Sequence, residues 1–319
     1  MTTAPLSAAD PEAPALDRPW PWWRRFALQF GSLYLALYFL VGVQGFAPLP
    51  EPLRFAVADA LSRALFRAPL PPLAGPTGSG DTALDWAWTL VLLLVALLGG
   101  AVWTLLDRRA PHPRLMVTLS QLLRVSLIWW LAIYGLSKFN FGQFGLLGTG
   151  QLTITYAESS PMGLLWRFMA ASPGYQWLAG VAEVLPALLL LHRRTVTLGA
   201  LIAAVTMANV LALNLFYDVP VKNFSAHLLL AALVLLVLDA RRLRAFVTGE
   251  AVPAQVARLQ PRVMTVLAWL VTAALLIMVG VQARTGLAAL HTDRQRTQVS
   301  AEPLKTRGFH WVNEQPYNR

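Results

Sequence analysis

The sequence contains no cysteine among its 319 residues, and only 13% of its residues are charged. The first absence excludes disulfides, iron–sulfur clusters, zinc–thiolate sites and thiol redox chemistry within the chain. The second excludes an ordinary soluble globule, because soluble domains carry about 25% charged residues. Hydrophobic residues instead make up 56% of the chain, and the mean hydropathy is +0.52. We therefore expect an integral membrane protein.

Lysine is also scarce: the 26 basic residues include only Lys138, Lys222 and Lys305 as lysines. The formal net charge of +10 would suit nucleic acid, but a nucleic-acid site needs a basic stripe on one exposed face. Here the basic residues stand in short groups between apolar stretches, where they set membrane topology. We therefore expect no nucleic-acid partner.

Seven apolar stretches are long enough to cross a hydrocarbon core of about 30 Å as helices. They cover residues 26–47, 83–106, 115–137, 175–191, 195–217, 226–238 and 263–283. The sixth is short, so we expect it to continue past Arg241 to Phe246 with its arginines reaching back to the membrane surface. The pattern predicts an all-α protein, a polytopic bundle of about seven transmembrane helices with residues 26–283 as its transmembrane domain.

Arginine groups at the ends of these stretches predict the orientation in the membrane. Arg24, Arg25, Arg193 and Arg194 lie on the same side as other tight arginine groups. Because positive charge close to span ends stays inside, we expect a cytoplasmic N-terminal tail (1–25) and an extracytoplasmic C-terminal tail (284–319). The excess of arginine over lysine is typical of a GC-rich bacterial genome, and we expect the bacterial inner (plasma) membrane.

Two further helices are predicted outside the membrane core. An extracytoplasmic insert (48–82) contains an amphipathic stretch, residues 51–70, which repeats Leu53, Val57, Leu61 and Leu65 at fourfold spacing. This spacing favours a helix that lies on the outer membrane surface. A proline- and glycine-rich turn leads from it to the second span. The second helix, residues 162–171, follows Ser160 and Pro161 and is too short to cross, so we interpret it as interfacial or re-entrant.

Two charges lie within predicted spans, where a charge costs about 2.5–3.5 kcal/mol on insertion scales. Arg124 lies ten residues after Arg114, and Glu183 lies ten residues before Arg193. At about 1.5 Å per residue both sit roughly 15 Å above the inner surface. We expect an Arg124–Glu183 ion pair near the midplane. It serves either to lock two helices together or to relay protons or face a substrate.

A second group of polar residues gathers at the outer ends of the spans. The candidates for ligand binding are Tyr134, Lys138, Arg167, Asn214, Asp218, Lys222 and His227. One hypothesis is that they line a pocket open to the outside, within reach of a lipid-borne ligand. The alternative is that Asp218 and Lys222 only cap a helical hairpin at the membrane surface.

The five histidines are His112, His192, His227, His291 and His310. None lies in the middle of a predicted span, whereas a haem held within the bilayer usually needs facing axial ligands such as histidine. We expect no cofactor bound by the chain's own ligands and no metal site, since no spacing rule supports His227 with His310.

Several segments together carry a family resemblance. They read GSGDT (78–82), YGLSK (134–138), QF (143–144), SSPMGLLWRFMAASPGY (159–175), GVAEVLPALLLLHRRT (180–195), NLFYDVPVKNFSAHLL (214–229) and RGFHWVNEQPYNR (307–319). This series resembles the DoxX-like family of bacterial integral membrane proteins, in a long form. The resemblance implies a four-helix core over residues 115–246, with the outer insert and the seventh span added to it.

The resemblance implies an auxiliary subunit of a quinone-linked membrane redox system, or a protein that binds a lipid-like ligand at the outer face. Quinone and a soluble or membrane redox partner are the expected ligand and partner, beside membrane lipid. An alternative is a membrane enzyme for a lipid-soluble substrate, with Lys138 or His227 as base. It rests on a distant similarity to vitamin K-dependent carboxylase-like domains. A second alternative is a proton-coupled transporter that uses Glu183. No residue is assigned as catalytic.

Overall fold

The computed structural model describes residues 20–42, 44–72, 80–107, 112–250 and 262–306. Within these ranges every regular element is helical. The helices are α1 (Trp22–Val41), α2 (Glu51–Phe66), α3 (Ala83–Leu106), α4 (Pro113–Phe139), α5 (Thr149–Leu152), α6 (Pro161–Ala171), α7 (Pro173–Leu191), α8 (Val196–Phe216), α9 (Lys222–Leu238), α10 (Ala240–Thr248) and α11 (Arg262–Thr306). The N-terminal tail up to residue 19, most of the proline- and glycine-rich turn, and the C-terminal segment with His310 lie outside the described residues.

Five of the described helical stretches are long and apolar enough to cross a membrane. They are Ala83–Leu106, Pro113–Phe139, Pro173–Leu191, Arg193–Phe216 and Thr265–Arg294. Each corresponds to a span predicted from the sequence, and the second, third and fourth of them begin two residues earlier than predicted. The expectation of an all-helical, multi-pass membrane protein is therefore confirmed.

The first and sixth predicted spans differ more from the helices observed. The first helix begins at Trp22 and ends at Val41, before Gly42, whereas the prediction placed the span at 26–47. The sixth ends at Leu238 after 17 residues. The predicted continuation of this helix to Phe246 is wrong, because the chain leaves helical geometry at Asp239 (φ −112°, ψ 17°) and α10 starts anew at Ala240.

The non-spanning helices match their predictions closely. The surface helix α2 ends at Phe66, four residues before the predicted limit, where Arg67 adopts a left-handed backbone conformation (φ 54°). The short helix α6 begins at Pro161 and is capped by the Ser160 hydroxyl, which accepts a hydrogen bond from Gly163 N. The last helix continues to Thr306, so much of the segment predicted as the C-terminal tail is helical.

The chain divides into two compact units. The first comprises the described residues up to Ser126 together with Val219–Ala240, so α9 joins α1, α2, α3 and the first part of α4. In this unit α1 and α3 pack so closely at Gly100 that an added Cβ would lie 2.8 Å from Phe30 Cα. The indole of Trp88 donates to Val41 O at 3.2 Å, which aligns the end of α1 with the first turns of α3.

The second unit comprises Leu127–Asp218 and the described residues from Arg241 onwards. Its centre is α7, against which α8, α6 and α11 pack. The Thr206 hydroxyl joins α8 to α7 by donating to Ala182 O at 3.0 Å. The His192 ring lies 3.0 Å from the Thr272 hydroxyl, which ties α11 to the end of α7.

Candidate functional site

A buried ion pair lies in the second unit, within two of the helices that can cross a membrane. The ammonium of Lys138, on α4, lies 2.5 Å from the carboxylate of Glu183, on α7. The two side chains are 5% and 6% exposed. Lys138 Nζ also donates to Tyr134 O at 3.2 Å, one turn earlier on its own helix. The pair therefore places two full charges where neither water nor lipid headgroups surround them.

Two glycines bring the helices of this pair together. An added Cβ on either Gly135 or Gly180 would lie 3.0 Å from the carbonyl oxygen of the other, so the two backbones touch there. Trp177 Nε1 donates to Phe139 O at 3.0 Å, and since Gly180 meets Gly135 three residues further along α7, the two helices run antiparallel. Because helical side chains lean towards the N-terminus of their own helix, Lys138 and Glu183 lean towards each other from either side of this crossing.

Aromatic rings and a loop enclose the ammonium. The Phe144 ring centroid lies 5.8 Å from Lys138 Nζ, within reach of a cation–π interaction. Trp166 packs edge-on against Phe144 at 5.1 Å and donates to Gln143 O at 3.1 Å. Gln176, fully buried on α7, donates to Gly145 O at 2.9 Å. These contacts from α6 and α7 hold the loop after α4 over the ion pair.

The predicted partner of Glu183 was Arg124. The structure gives Glu183 a partner within its own unit, Lys138, and Arg124 in the other unit donates to Gln121 at 3.3 Å. The Arg124–Glu183 ion pair joins residues of different units and stays a prediction. Sequence reasoning missed the Lys138–Glu183 pair because Lys138 is the penultimate residue of α4 and was assigned to the outer surface. The sequence does contain one indication of this pair, a glycine three residues before each of the two charged residues.

The candidate ligand-binding residues fall into both units. Tyr134, Lys138, Arg167, Asn214 and Asp218 belong to the second, and Lys222 and His227 to the first, so their shared pocket stays a prediction.

Within the second unit, Arg167 on α6 donates to the Ser159 hydroxyl. Asn214 is buried near the end of α8, and Asp218 follows with a left-handed backbone conformation (φ 52°).

Lys222 lies next to the segment that contains Gly80 and Asp81. The Asp81 carboxylate accepts hydrogen bonds from Lys222 N at 2.6 Å and Asn223 N at 2.9 Å, and so caps the N-terminus of α9. Lys222 Nζ lies 4.0 Å from the same carboxylate, and Gly80 N donates to Pro220 O at 2.9 Å. The sequence analysis considered Asp218 as the partner of Lys222 and missed Asp81. The sequence does give one indication of Asp81, because it is an acidic residue directly after a glycine-rich segment.

His227 is part of a hydrogen-bonded network with two tyrosines of α1. Its Nδ1 lies 2.7 Å from Asn223 O, and its Nε2 lies 2.7 Å from the Tyr34 hydroxyl. Since a carbonyl can only accept, Nδ1 carries the proton in the neutral ring and Nε2 accepts from Tyr34. Tyr38 stacks on the imidazole at 3.6 Å and donates to Asn223 Oδ1 at 3.0 Å. Neither tyrosine was identified from the sequence, although their spacing of four residues places them on one helix face.

No group of three or more metal-ligating side chains occurs in the part of the chain that the structure describes. The described residues therefore offer two separate candidate features, an ion pair with aromatic rings in one unit and a histidine–tyrosine network in the other.

Comparison with known proteins identifies a relative of this chain in Bacillus subtilis. No family model matches the chain, and no solved structure matches it. The protein YwoB of Bacillus subtilis (strain 168), described as uncharacterized, is 34% identical over 110 residues. This match covers 34% of the present chain and 70% of YwoB. The chain therefore belongs to the same protein family as YwoB of Bacillus subtilis.

Proposed function

We propose that this protein is a DoxX-like membrane protein that binds a quinone in its outer half, as an auxiliary subunit of a quinone-linked redox system. The observation that carries the proposal is the Lys138–Glu183 ion pair, 2.5 Å apart and almost fully buried. Apolar residues of similar volume would often stabilise such a position as well or better. Ionisable residues inside a membrane are therefore by default candidates for function.

The surroundings of Lys138 suit a planar ligand that carries a carbonyl group. A lysine ammonium has three N–H donors, and Glu183 and Tyr134 O accept two of them. Phe144 and Trp166 provide aromatic surface beside the ammonium. In our proposal a quinone carbonyl accepts a hydrogen bond from Lys138 while the quinone ring lies against these aromatic side chains. The redox chemistry would be supplied by the quinone and by a soluble or membrane redox partner, since the chain has no cysteine.

The proposal also includes the number of membrane spans and their orientation. We infer seven spans, with α1 and α9 added to the five apolar helices, because 17 residues are close to the shortest helix that crosses a bilayer. The arginines at the ends of α1, α7 and α9 support a cytoplasmic N-terminus, an extracytoplasmic C-terminus and a place in the bacterial inner membrane. The DoxX-like core would cover residues 115–246.

The test compares the wild-type protein with a variant in which the pair is replaced by apolar residues, Lys138→Met with Glu183→Met. Both proteins are purified in lipid nanodiscs formed directly from membranes, and the extracted lipid is analysed for isoprenoid quinones by mass spectrometry. Thermal unfolding is then measured with and without a short-chain quinone. Thr104→Val, which removes a buried hydroxyl in the other unit, serves as the control.

We expect a quinone to copurify with the wild type and the control, and added quinone to raise their unfolding temperature. The double variant should fold but show neither effect. Equal quinone content and equal thermal shifts in all three proteins would contradict the proposal. Chemical conversion of a lipid-soluble substrate by the wild type, lost in Lys138→Met, would favour the carboxylase-like alternative.

A further inference from the structure

The helix α2 buries Arg54 and exposes a stripe of apolar side chains. Arg54, Ala58 and Ser62 are 9%, 0% and 8% exposed, respectively, and face the first unit, where α2 packs on α3. Leu53 and Leu65 are about half exposed, and Val57 lies between them on the same stripe. A helix on the surface of a soluble protein has the opposite arrangement. The exposed stripe of α2 therefore suits contact with lipid.

Two side chains of the buried face of α2 form hydrogen bonds to the chain beside the helix. Arg54 Nε donates to Leu49 O at 3.0 Å, just before the helix, and the Ser62 hydroxyl donates to Ala68 O at 2.8 Å, just after it. The same face packs on α3, with Ala58 fully buried. The packing on α3 therefore leaves the apolar stripe exposed.

The position of α2 in the unit is compatible with the lipid headgroup level. The segment that contains α2 joins the end of α1 to the start of α3, and the bond from Trp88 to Val41 O holds these two ends level. Trp86, one turn into α3, is half exposed. Because tryptophan prefers the membrane–water interface, its exposure marks the level at which α2 meets lipid headgroups.

Arg54 is a buried cation without a compensating anion. It forms no salt bridge with any described carboxylate, and its Nη1 has no hydrogen-bond acceptor among the described residues. A guanidinium that is nine-tenths buried without a counter-charge is destabilising. Arg63 on the same helix differs, since its Nε donates to Asp59 at 2.7 Å and its side chain is 62% exposed.

We propose that Arg54 is the headgroup site of a bound phospholipid. In this proposal a lipid phosphate reaches the guanidinium through the part of Arg54 that stays exposed and supplies the missing negative charge, because arginine N–H groups bind phosphate. The acyl chains lie along Leu53, Val57 and the other exposed apolar residues of α2. The site thus belongs to the first unit and is independent of the quinone proposal.

The experiment measures the phospholipid that stays bound after detergent extraction, by native mass spectrometry, for three proteins. These are the wild type, Arg54→Gln and the matched control Arg63→Gln. We expect phospholipid to remain on the wild type and on Arg63→Gln, and its occupancy to fall at least tenfold in Arg54→Gln. Equal occupancy in all three proteins would overturn the proposal.

Two further measurements keep the test decisive. If Arg54→Gln does not fold, the pair of substitutions Leu53→Asn and Val57→Asn alters only the exposed stripe and should lower lipid occupancy in a folded protein. Unchanged occupancy in that variant would overturn the proposal. Delipidated wild-type protein is also titrated with inorganic phosphate and with phosphatidylglycerol. Only the lipid should raise the unfolding temperature, and an equal rise with phosphate alone would reject a lipid as the ligand.

Discussion

The side chains of Lys138 and Glu183 depend on each other for their place inside the protein. Each charge alone would be left in an apolar surrounding, with no water to replace the lost partner. Together they form an ion pair with the lysine Nζ 2.5 Å from a carboxylate oxygen, and the Tyr134 carbonyl accepts a further hydrogen bond from the lysine. The expected effect of a substitution at this site therefore depends on whether one charge or both are removed.

We predict that Lys138→Met alone lowers the free energy of unfolding by about 3–5 kcal/mol, because it leaves the Glu183 carboxylate buried and unpaired. The double variant Lys138→Met with Glu183→Met should recover most of this loss. Unfolding by denaturant in detergent, followed by circular dichroism, measures both. A double variant no more stable than the single one would mean that the pair is not coupled in this way.

Among these residues, the sequence identified Glu183 as a charge within a span, but it placed Lys138 just outside its span and missed the pairing of the two. Arg124 was predicted as the partner of Glu183 because both residues lie at the same depth in the membrane. That depth was counted from the positions of their Cα atoms along the helices. A lysine side chain reaches about one helical turn towards the N-terminus of its helix, so Lys138 acts deeper than its position in the chain indicates. Pairing depends on such directions and on where two helices cross, and neither is visible in the hydropathy of one segment.

Among the helices, the crossing of α4 and α7 at Gly135 and Gly180 decides where the ion pair forms. Both positions lack a Cβ where the backbones touch, which allows the close approach typical of membrane helices with small residues at their interface. Larger residues at either position would separate the helices and lengthen the Lys138–Glu183 distance. The site geometry therefore depends on residues that carry no functional group.

We predict that Gly180→Val destabilises the protein by about 1–3 kcal/mol through overpacking against Gly135 O and Phe139. Quinone binding should weaken as well if the ion pair is the site. Gly280→Val is the matched control, since an added Cβ there meets nothing within 4 Å. Thermal unfolding in nanodiscs compares the two, and equal shifts would argue against a tight crossing at Gly180.

The end of α2 carries an acid-sensitive contact. Asp59 accepts hydrogen bonds from Arg63 and from Leu70 N at 2.7 Å, and these bonds hold the pKa of Asp59 below its ordinary value. A lowered pKa in the folded state means that the contact stabilises the fold above the unfolded pKa, near 4. That stabilisation is lost as the pH falls through the lower, folded value.

We therefore predict that the Leu70 amide stays protected from hydrogen exchange near neutral pH and loses protection only below about pH 4. In Asp59→Asn this acid-dependent loss should disappear. The Thr155 amide, which donates to Glu158 in the other unit, is the internal control and should keep its own acid transition in both proteins. Loss of protection at the same pH in Asp59→Asn would contradict the role of Asp59.

The helices themselves were largely predictable, for local reasons. The limits of α3 agree with the prediction because Thr82 and Asp85 form a capping box at its start. The sixth span was extended too far because its predicted apolar stretch, residues 226–238, looked too short alone, and the arginines beyond Asp239 were counted as part of the same helix. Hydropathy thus located the helices, while the breaks between them depended on individual backbone angles.

On the scale of the whole molecule, the sequence predicted a membrane-embedded helical bundle but not its division into two units. The chain forms most of the first unit, continues through the second, and returns with Val219–Ala240 to complete the first. The Asp81 cap and the His227 network join residues more than a hundred positions apart. Contacts at such separations leave no periodic signal in one sequence.

The proposed topology is testable because the chain has no cysteine, so a single introduced thiol reports its own location. We predict that Glu158→Cys reacts with a membrane-impermeant maleimide on intact spheroplasts, whereas Glu250→Cys reacts only after lysis. Both positions are exposed glutamates, and neither substitution changes the arginine distribution. The reverse labelling pattern would place the N-terminus outside.

The return of α9 to the first unit has a consequence for synthesis in the cell. Tyr34, Tyr38 and Thr89 leave the ribosome well before Asn223 and His227, which are their hydrogen-bond partners in the finished protein. At about 5–20 residues per second the wait is on the order of ten seconds. In the proposed seven-span topology the hydroxyl groups of α1 and α3 face lipid or the insertion machinery during that time. The proposal then predicts that the nascent chain stays associated with its insertase until α9 has entered the bilayer.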